Sequence, residues 1–191
     1  MMRSLAFLFA LATTAAIAQD RPTMRQLPGN GTLPQPPAQR DLVDARAELK
    51  ARFREPLSHT ETATGARIAA ETLLAASVEE PDWTLKWLML DEARRLGSAA
   101  GYADTVTRAI TLSSALYDFD ELDLEMRSLA EIPLRALDPG RATLLAEAAE
   151  KLAARADTDG RRELSDAARL LAVKAWQRSG NTAAARRVAE Q

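Results

Sequence analysis

Residues 82–117 read DWTLKWLMLDEARRLGSAAGYADTVTRAITLSSALY and predict two helices that fold back on each other. Apolar residues recur every three or four positions over residues 85–100, which places them on one face of a helix. Asp82 is a residue type that caps helix starts, and Gly101 is one that ends helices. A second periodic run, over residues 106–116, then returns along the first. The stretch therefore predicts a helical hairpin.

Helical runs of the same kind flank this hairpin on both sides. Their apolar stripes span Leu42–Phe53, Ala66–Ala76, Leu122–Leu137, Leu145–Ala156 and Leu164–Ala175, before a short last helix that ends at Gln191. Pro56 is expected to stop the first of these helices, and Pro133 to interrupt the third, because proline cannot supply a backbone N–H inside a helix. Alternating β-branched residues are lacking, so a sheet is not expected. We predict an all-α domain over residues 41–191, built of stacked antiparallel hairpins as a solenoid or an irregular bundle.

Composition narrows the class of protein. A chain of 191 residues is long enough for one domain with a substantial core. Hydrophobic residues make up 47% and aromatic residues 5%, which favours helices packed closely through small side chains. Cysteine is absent, so stability must come from packing. The formal net charge of −2 gives no reason to expect a nucleic-acid partner.

The N-terminus predicts export. Arg3 precedes an apolar run over residues 5–17, and Ala16-Ile17-Ala18 is a small-x-small cleavage site, so residues 1–18 are typical of a signal peptide. The run is too short for a spanning helix, so we expect a periplasmic or extracellular protein without stable membrane insertion.

Residues 19–40 hold five of the nine prolines and predict a flexible, disordered leader. Within it, Pro-Gln-Pro-Pro at residues 34–37 is a candidate polyproline ligand.

Two of the predicted hairpins share a pattern. It reads Ala93-x3-Gly97-x3-Gly101-Tyr102-x3-Val106 in the first and Ala172-x3-Trp176-x3-Gly180-Asn181-x3-Ala185 in the second. The second copy resembles the tetratricopeptide repeat, whereas the first has Gly97 where that repeat places a large side chain. The chain is also similar to Ala-rich helical segments of exported bacterial proteins. Both resemblances imply a helical-repeat fold with a binding or scaffolding role, and they carry over no functional residues.

One apolar line stands out as a possible partner-binding surface. Trp83, Trp87 and Leu90 lie beside the main stripe of their helix. If they are exposed, so wide an aromatic line is a binding surface. If Leu42, Leu49 and Phe53 of the first helix cover them, they are core, which is the interpretation that we favour.

No residues predict catalysis, a cofactor or a metal. His59 is the one histidine and falls in a predicted turn, and the acidic run over residues 118–125 lacks the ligand spacing of a calcium loop. We therefore predict an exported, non-enzymatic helical-repeat module that binds another protein, of unknown identity, in the bacterial envelope or outside the cell. Two alternatives stay open: a small hydrolase that cleaves envelope polysaccharide with paired carboxylates, and a structural spacer of a larger architecture.

Overall fold

A computed structural model describes residues 32–191 of the chain. Within that range it contains α-helices and short 3-10 turns but no strand, which confirms the all-α prediction. The helices are α1 Leu42–Arg52, α2 Arg54–Leu57, α3 Ala63–Glu79, α4 Trp83–Ala100, α5 Ala103–Ser114, α6 Glu121–Ala130, α7 Pro139–Thr158, α8 Arg162–Ser179 and α9 Thr182–Ala189. The predicted signal peptide and residues 19–31 of the predicted leader lie outside the described range.

Helix starts follow the sequence signals. The carboxylate of Asp82 accepts a hydrogen bond from the Leu85 N–H at 2.8 Å, and that of Asp138 accepts one from the Arg141 N–H at 2.9 Å. Each bond satisfies a backbone donor that has no partner within the first turn of a helix. Pro139 occupies the first position of α7, where its missing N–H costs nothing.

The two turns that share a sequence pattern also share a geometry. Gly101 and Gly180 both take left-handed backbone conformations, with φ of 78° and 86°. The Tyr102 N–H donates to the Gly97 carbonyl at 2.9 Å, and the Asn181 N–H donates to the Trp176 carbonyl at 3.0 Å. Both turns are therefore Schellman motifs, in which glycine is favoured because it has no Cβ.

The two prolines that were expected to break helices both lie beyond a helix end. The first helix, α1, ends at Arg52, before Pro56 as expected, and Pro56 lies in the first turn of the short helix α2, where backbone N–H groups need no partner. The interruption expected at Pro133 is present, since α6 ends at Ala130, but the continuation of this helix to Leu137 is wrong. A 3-10 turn follows Pro133, and Leu137 is buried from a loop.

Each helix from α3 onwards packs against the next helix along the chain, and several also contact the next but one. The buried side chains form two groups. The first core cluster consists of Leu42, Ala45, Leu49, Ala70, Leu73, Leu74, Leu85, Leu88, Met89, Leu90, Ala93 and Ala109. The second core cluster comes from α5–α9 and their loops, among them Val106, Ile110, Leu129, Leu137, Leu145, Leu152, Ala172 and Trp176.

The contact between α4 and α5 joins the two core clusters. Gly97 on α4 lies so close to α5 that a Cβ atom there would stand 3.1 Å from Val106 Cγ2 and 3.3 Å from Thr105 Cβ. Glycine is a poor helix former, so Gly97→Ala is expected to stabilise α4 unless a neighbouring helix packs directly against that position. The structure shows that packing, which opposes the gain in helix propensity.

Outside the helices, residues 33–38 extend towards α1. The Asp118 N–H donates to the Pro34 carbonyl at 2.9 Å, and the Gln35 side-chain amide donates to the Asp118 carboxylate at 2.7 Å. Among residues 32–191, no helix is both long and apolar enough to cross a membrane.

The two glycine turns give a matched test of the hairpin geometry. Gly180→Ala should lower the free energy of unfolding by about 1–2 kcal/mol, because a side chain disfavours the left-handed conformation. Gly101→Ala should lower the free energy of unfolding by about 1–3 kcal/mol more than Gly180→Ala does, because its Cβ would overlap the buried Leu137 side chain. At Gly180, by contrast, no described atom lies within 4 Å of an added Cβ. Urea unfolding of both variants measures the difference, and equal midpoints would contradict this packing at Gly101.

Candidate functional site

The three residues predicted as a possible partner-binding line do not share one environment. Leu90 is only 1% exposed and belongs to the first core cluster with Leu42 and Leu49. Trp83 and Trp87 are half-buried. Trp87 packs against the first core cluster from its edge, together with Phe53.

The tryptophans are covered from a different part of the chain. Tyr117 and Phe119, in the turn between α5 and α6, make edge-to-face contacts with them. The ring centroids lie 5.7 Å apart for Trp83 and Tyr117, 4.9 Å for Trp87 and Tyr117, and 5.6 Å for Trp87 and Phe119. This is the geometry that aromatic pairs prefer. We call these four residues the aromatic cluster.

Tyr117 ties the aromatic cluster to the start of α4. Its hydroxyl donates to the Trp83 carbonyl at 2.5 Å, and burial raises the pKa of the phenol above its ordinary value. The residue that follows, Asp118, is exposed and holds Pro34 and Gln35 through the hydrogen bonds given above. The aromatic cluster therefore lies beside the proline-rich segment.

A second surface feature lies along α3. An open groove of about 800 Å³ is lined by Thr64, Arg67, Ile68, Glu71, Thr72, Ala75, Ala76 and Tyr102. We call it the Tyr102 groove. Ile68 in its lining is 59% exposed. The groove combines an exposed apolar contact with polar groups at its rim.

Cations surround the ring of Tyr102. The guanidinium carbon of Arg67 lies 4.9 Å from the ring centroid, and that of Arg141 lies 5.5 Å from it. Arg141 is also bound to the Asp138 carboxylate and the Ala100 carbonyl, whereas Arg67 is exposed. Glu71 is held at 2.7 Å by Arg108. The exposed cation that the groove offers a ligand is therefore Arg67.

The hydrolase alternative needs paired carboxylates in a cleft, and one cleft contains Asp120 and Glu121. The cleft of about 400 Å³ between α6 and the α7–α8 turn is lined in part by Asp120 and Glu121. Arg161 donates to Asp120 at 2.5 Å and lowers the pKa of its carboxyl group. Arg155 donates to Glu121 at 2.5 Å and to the buried Glu125 at 2.6 Å.

These ion pairs bear on whether a carboxyl group in the cleft could act as a general acid. A general acid needs a raised pKa and access to the substrate. Burial raises the pKa of Glu125, but its side chain is only 3% exposed. Asp120, whose side chain is 52% exposed, has a lowered pKa because Arg161 donates to it. The arrangement is that of a structural ion-pair network.

Metal-binding side chains do not converge in the described part of the chain. Over residues 32–191 no three His, Asp or Glu side chains are grouped so that they could hold an ion. His59 lies exposed in the turn between α2 and α3.

The Tyr102 groove was not anticipated from the sequence, because α3 supplies one wall and Tyr102, the residue after Gly101, closes it.

No protein-family model, curated protein or solved structure matches the chain.

The two tyrosines allow a test of the aromatic cluster. Tyr117→Phe should lower the free energy of unfolding by about 1 kcal/mol, because it removes a buried hydrogen bond to Trp83 and keeps the ring. Tyr102→Phe is the matched control and should change it by less than about 0.5 kcal/mol, since its ring packs at the surface. Urea unfolding distinguishes them. A Tyr117→Phe variant as stable as the control would mean that this hydrogen bond does not stabilise the cluster.

Proposed function

We propose that this chain is an exported, non-enzymatic helical-repeat module that binds another protein through the Tyr102 groove. The observation that carries the proposal is the exposed Ile68 beside the Arg67–Tyr102 pair in an open groove. Exposed apolar contacts rimmed by polar groups are typical of protein-binding surfaces.

The lining of the groove defines the chemistry of the partner. Ile68, Ala75 and the Tyr102 ring provide an apolar floor for an aliphatic side chain. Arg67 provides an exposed positive charge next to that floor. The segment that fits carries an apolar anchor flanked by Asp or Glu, since opposite charges at the rim favour association and orient the ligand.

The helical architecture supports a binding role. Helices that pack on their neighbours in sequence leave one face of each helix free, and stacked helical hairpins use such faces to bind extended peptides or helices. The N-terminal sequence supports export, because a basic start, a short apolar run and Ala16-Ile17-Ala18 are typical of a signal peptide. The partner is therefore sought in the bacterial envelope or outside the cell.

Two substitutions on α3 test the groove. Ile68→Glu places a charge in the apolar floor, and Val78→Glu makes the same change at a site on the same helix outside the groove, where the side chain is 69% exposed. Both should change the free energy of unfolding by less than about 0.5 kcal/mol, because both sites face water. The exported chain and the two variants serve as baits in an envelope extract, with captured proteins quantified by mass spectrometry.

We expect the wild type and Val78→Glu to capture the same partner protein in equal amounts. Ile68→Glu should capture about tenfold less of it, a difference that corresponds to the loss of one well-packed contact. Circular dichroism of the variants checks that both keep their helices. Capture that is insensitive to Ile68→Glu would contradict the assignment of the groove, and the absence of any partner would favour the structural spacer.

A further inference from the structure

The proline-rich segment shows a threefold pattern of exposure. Thr32, Gln35 and Ala38 are exposed, whereas the pairs between them, residues 33–34 and 36–37, are half-buried. A polyproline II helix has three residues per turn, so every third side chain points the same way. The segment therefore presents one edge to water and two edges to the protein.

Backbone geometry agrees with this conformation. Ala38, at the end of the segment, has φ of −68° and ψ of 154°, close to the polyproline II values. Three of the residues over 33–37 are proline, which fixes φ in the same range. The segment thus enters the contact with little conformational entropy to lose.

The segment is anchored at the aromatic cluster. The Pro34 carbonyl accepts from the backbone N–H of Asp118, the residue between Tyr117 and Phe119, and Gln35 donates to the Asp118 carboxylate. Further along, Gln39 lines a groove with Asp91 of α4, one helical turn beyond Trp87. The chain from Pro34 to Gln39 therefore leads from Asp118, beside the aromatic cluster, to a groove along α4.

We propose that the aromatic cluster is a polyproline-binding surface, that residues 33–37 occupy it from within the chain, and that a proline-rich segment of another protein binds there in their place. This surface is separate from the Tyr102 groove, and the inference does not depend on the proposed function.

Three physical features support this assignment. Surfaces that bind polyproline helices are lined by aromatic rings, and here Trp87 and Phe119 are both half-buried beside Asp118. A polyproline helix has no internal hydrogen bonds, so its carbonyls are free to accept, as Pro34 does. The Asp118 carboxylate adds a polar contact to the residue between prolines.

Because residues 33–37 belong to the same chain, they act as an intramolecular ligand of the aromatic cluster. A ligand joined to its site by a short connection acts at an effective concentration in about the millimolar range. A free proline-rich peptide therefore competes poorly with residues 33–37, and weakening the internal segment should open the site.

The test is a peptide titration followed by fluorescence anisotropy. The probe is a labelled synthetic peptide with the sequence of residues 32–38, Thr-Leu-Pro-Gln-Pro-Pro-Ala. The proteins are the exported chain and an opened variant that carries Pro34→Gly, Pro36→Gly and Pro37→Gly, which removes the conformational restriction of the internal segment. We expect the opened variant to bind the peptide about tenfold more tightly than the wild type.

Two controls make the result specific. A peptide with alanine in place of each proline should not bind the opened variant, and Phe119→Ala in the opened variant should abolish binding of the proline peptide. If Phe119→Ala loses helicity by circular dichroism, Asp118→Ala, which keeps all four rings, takes its place and should weaken binding. Equal binding by the wild type and the opened variant, or equal binding of the two peptides, would overturn the proposal.

Discussion

The close approach of α4 and α5 at Gly97 is the contact on which the rest of the structure depends. Val106 and Thr105 of α5 pack into the space that a side chain at Gly97 would need. Ala93, one turn earlier on α4, belongs to the first core cluster, while Val106 belongs to the second. The α4–α5 contact therefore connects two groups of buried side chains, and the small residue at Gly97 sets the distance between these two helices.

Polar contacts hold α4 to α6 beside this connection. The Ser98 hydroxyl donates to the Ser128 carbonyl at 2.9 Å, and Arg94 donates to the Ser128 hydroxyl at 2.9 Å. Over residues 32–191 no buried side-chain donor or acceptor lacks a partner, so the connection carries no desolvation penalty from unpaired groups.

Much of the helix order was predictable from the sequence, because capping and turn signals act locally. Asp82 and Asp138 begin helices and Gly101 ends one, through hydrogen bonds to residues within four positions of themselves. The first helix ends before Pro56, as expected, but Pro56 itself lies in α2, because a residue that blocks a helix interior is tolerated in a first turn. The choice between the two depends on where the preceding helix breaks.

The candidate surfaces depend on contacts between distant parts of the chain. Tyr117 and Phe119 fall in a turn, and no local signal shows that they cover tryptophans about thirty residues earlier. The Tyr102 groove likewise requires the relative position of α3 and the Gly101 turn. The sequence made residues 34–37 a candidate polyproline ligand, but only the structure places Pro34 and Gln35 against Asp118.

The central claim, that the two core clusters are packed together as one cooperative unit, can be measured with the three tryptophans. Trp176 lies in the second core cluster, and Trp83 and Trp87 lie at the first. Urea unfolding is followed by fluorescence and far-UV circular dichroism in two chains, Trp176→Phe and Trp83→Phe/Trp87→Phe. We predict that fluorescence and circular dichroism coincide in both, as in a two-state transition. A fluorescence midpoint that separates from the loss of helicity in either chain would show that the clusters unfold independently and would contradict the account.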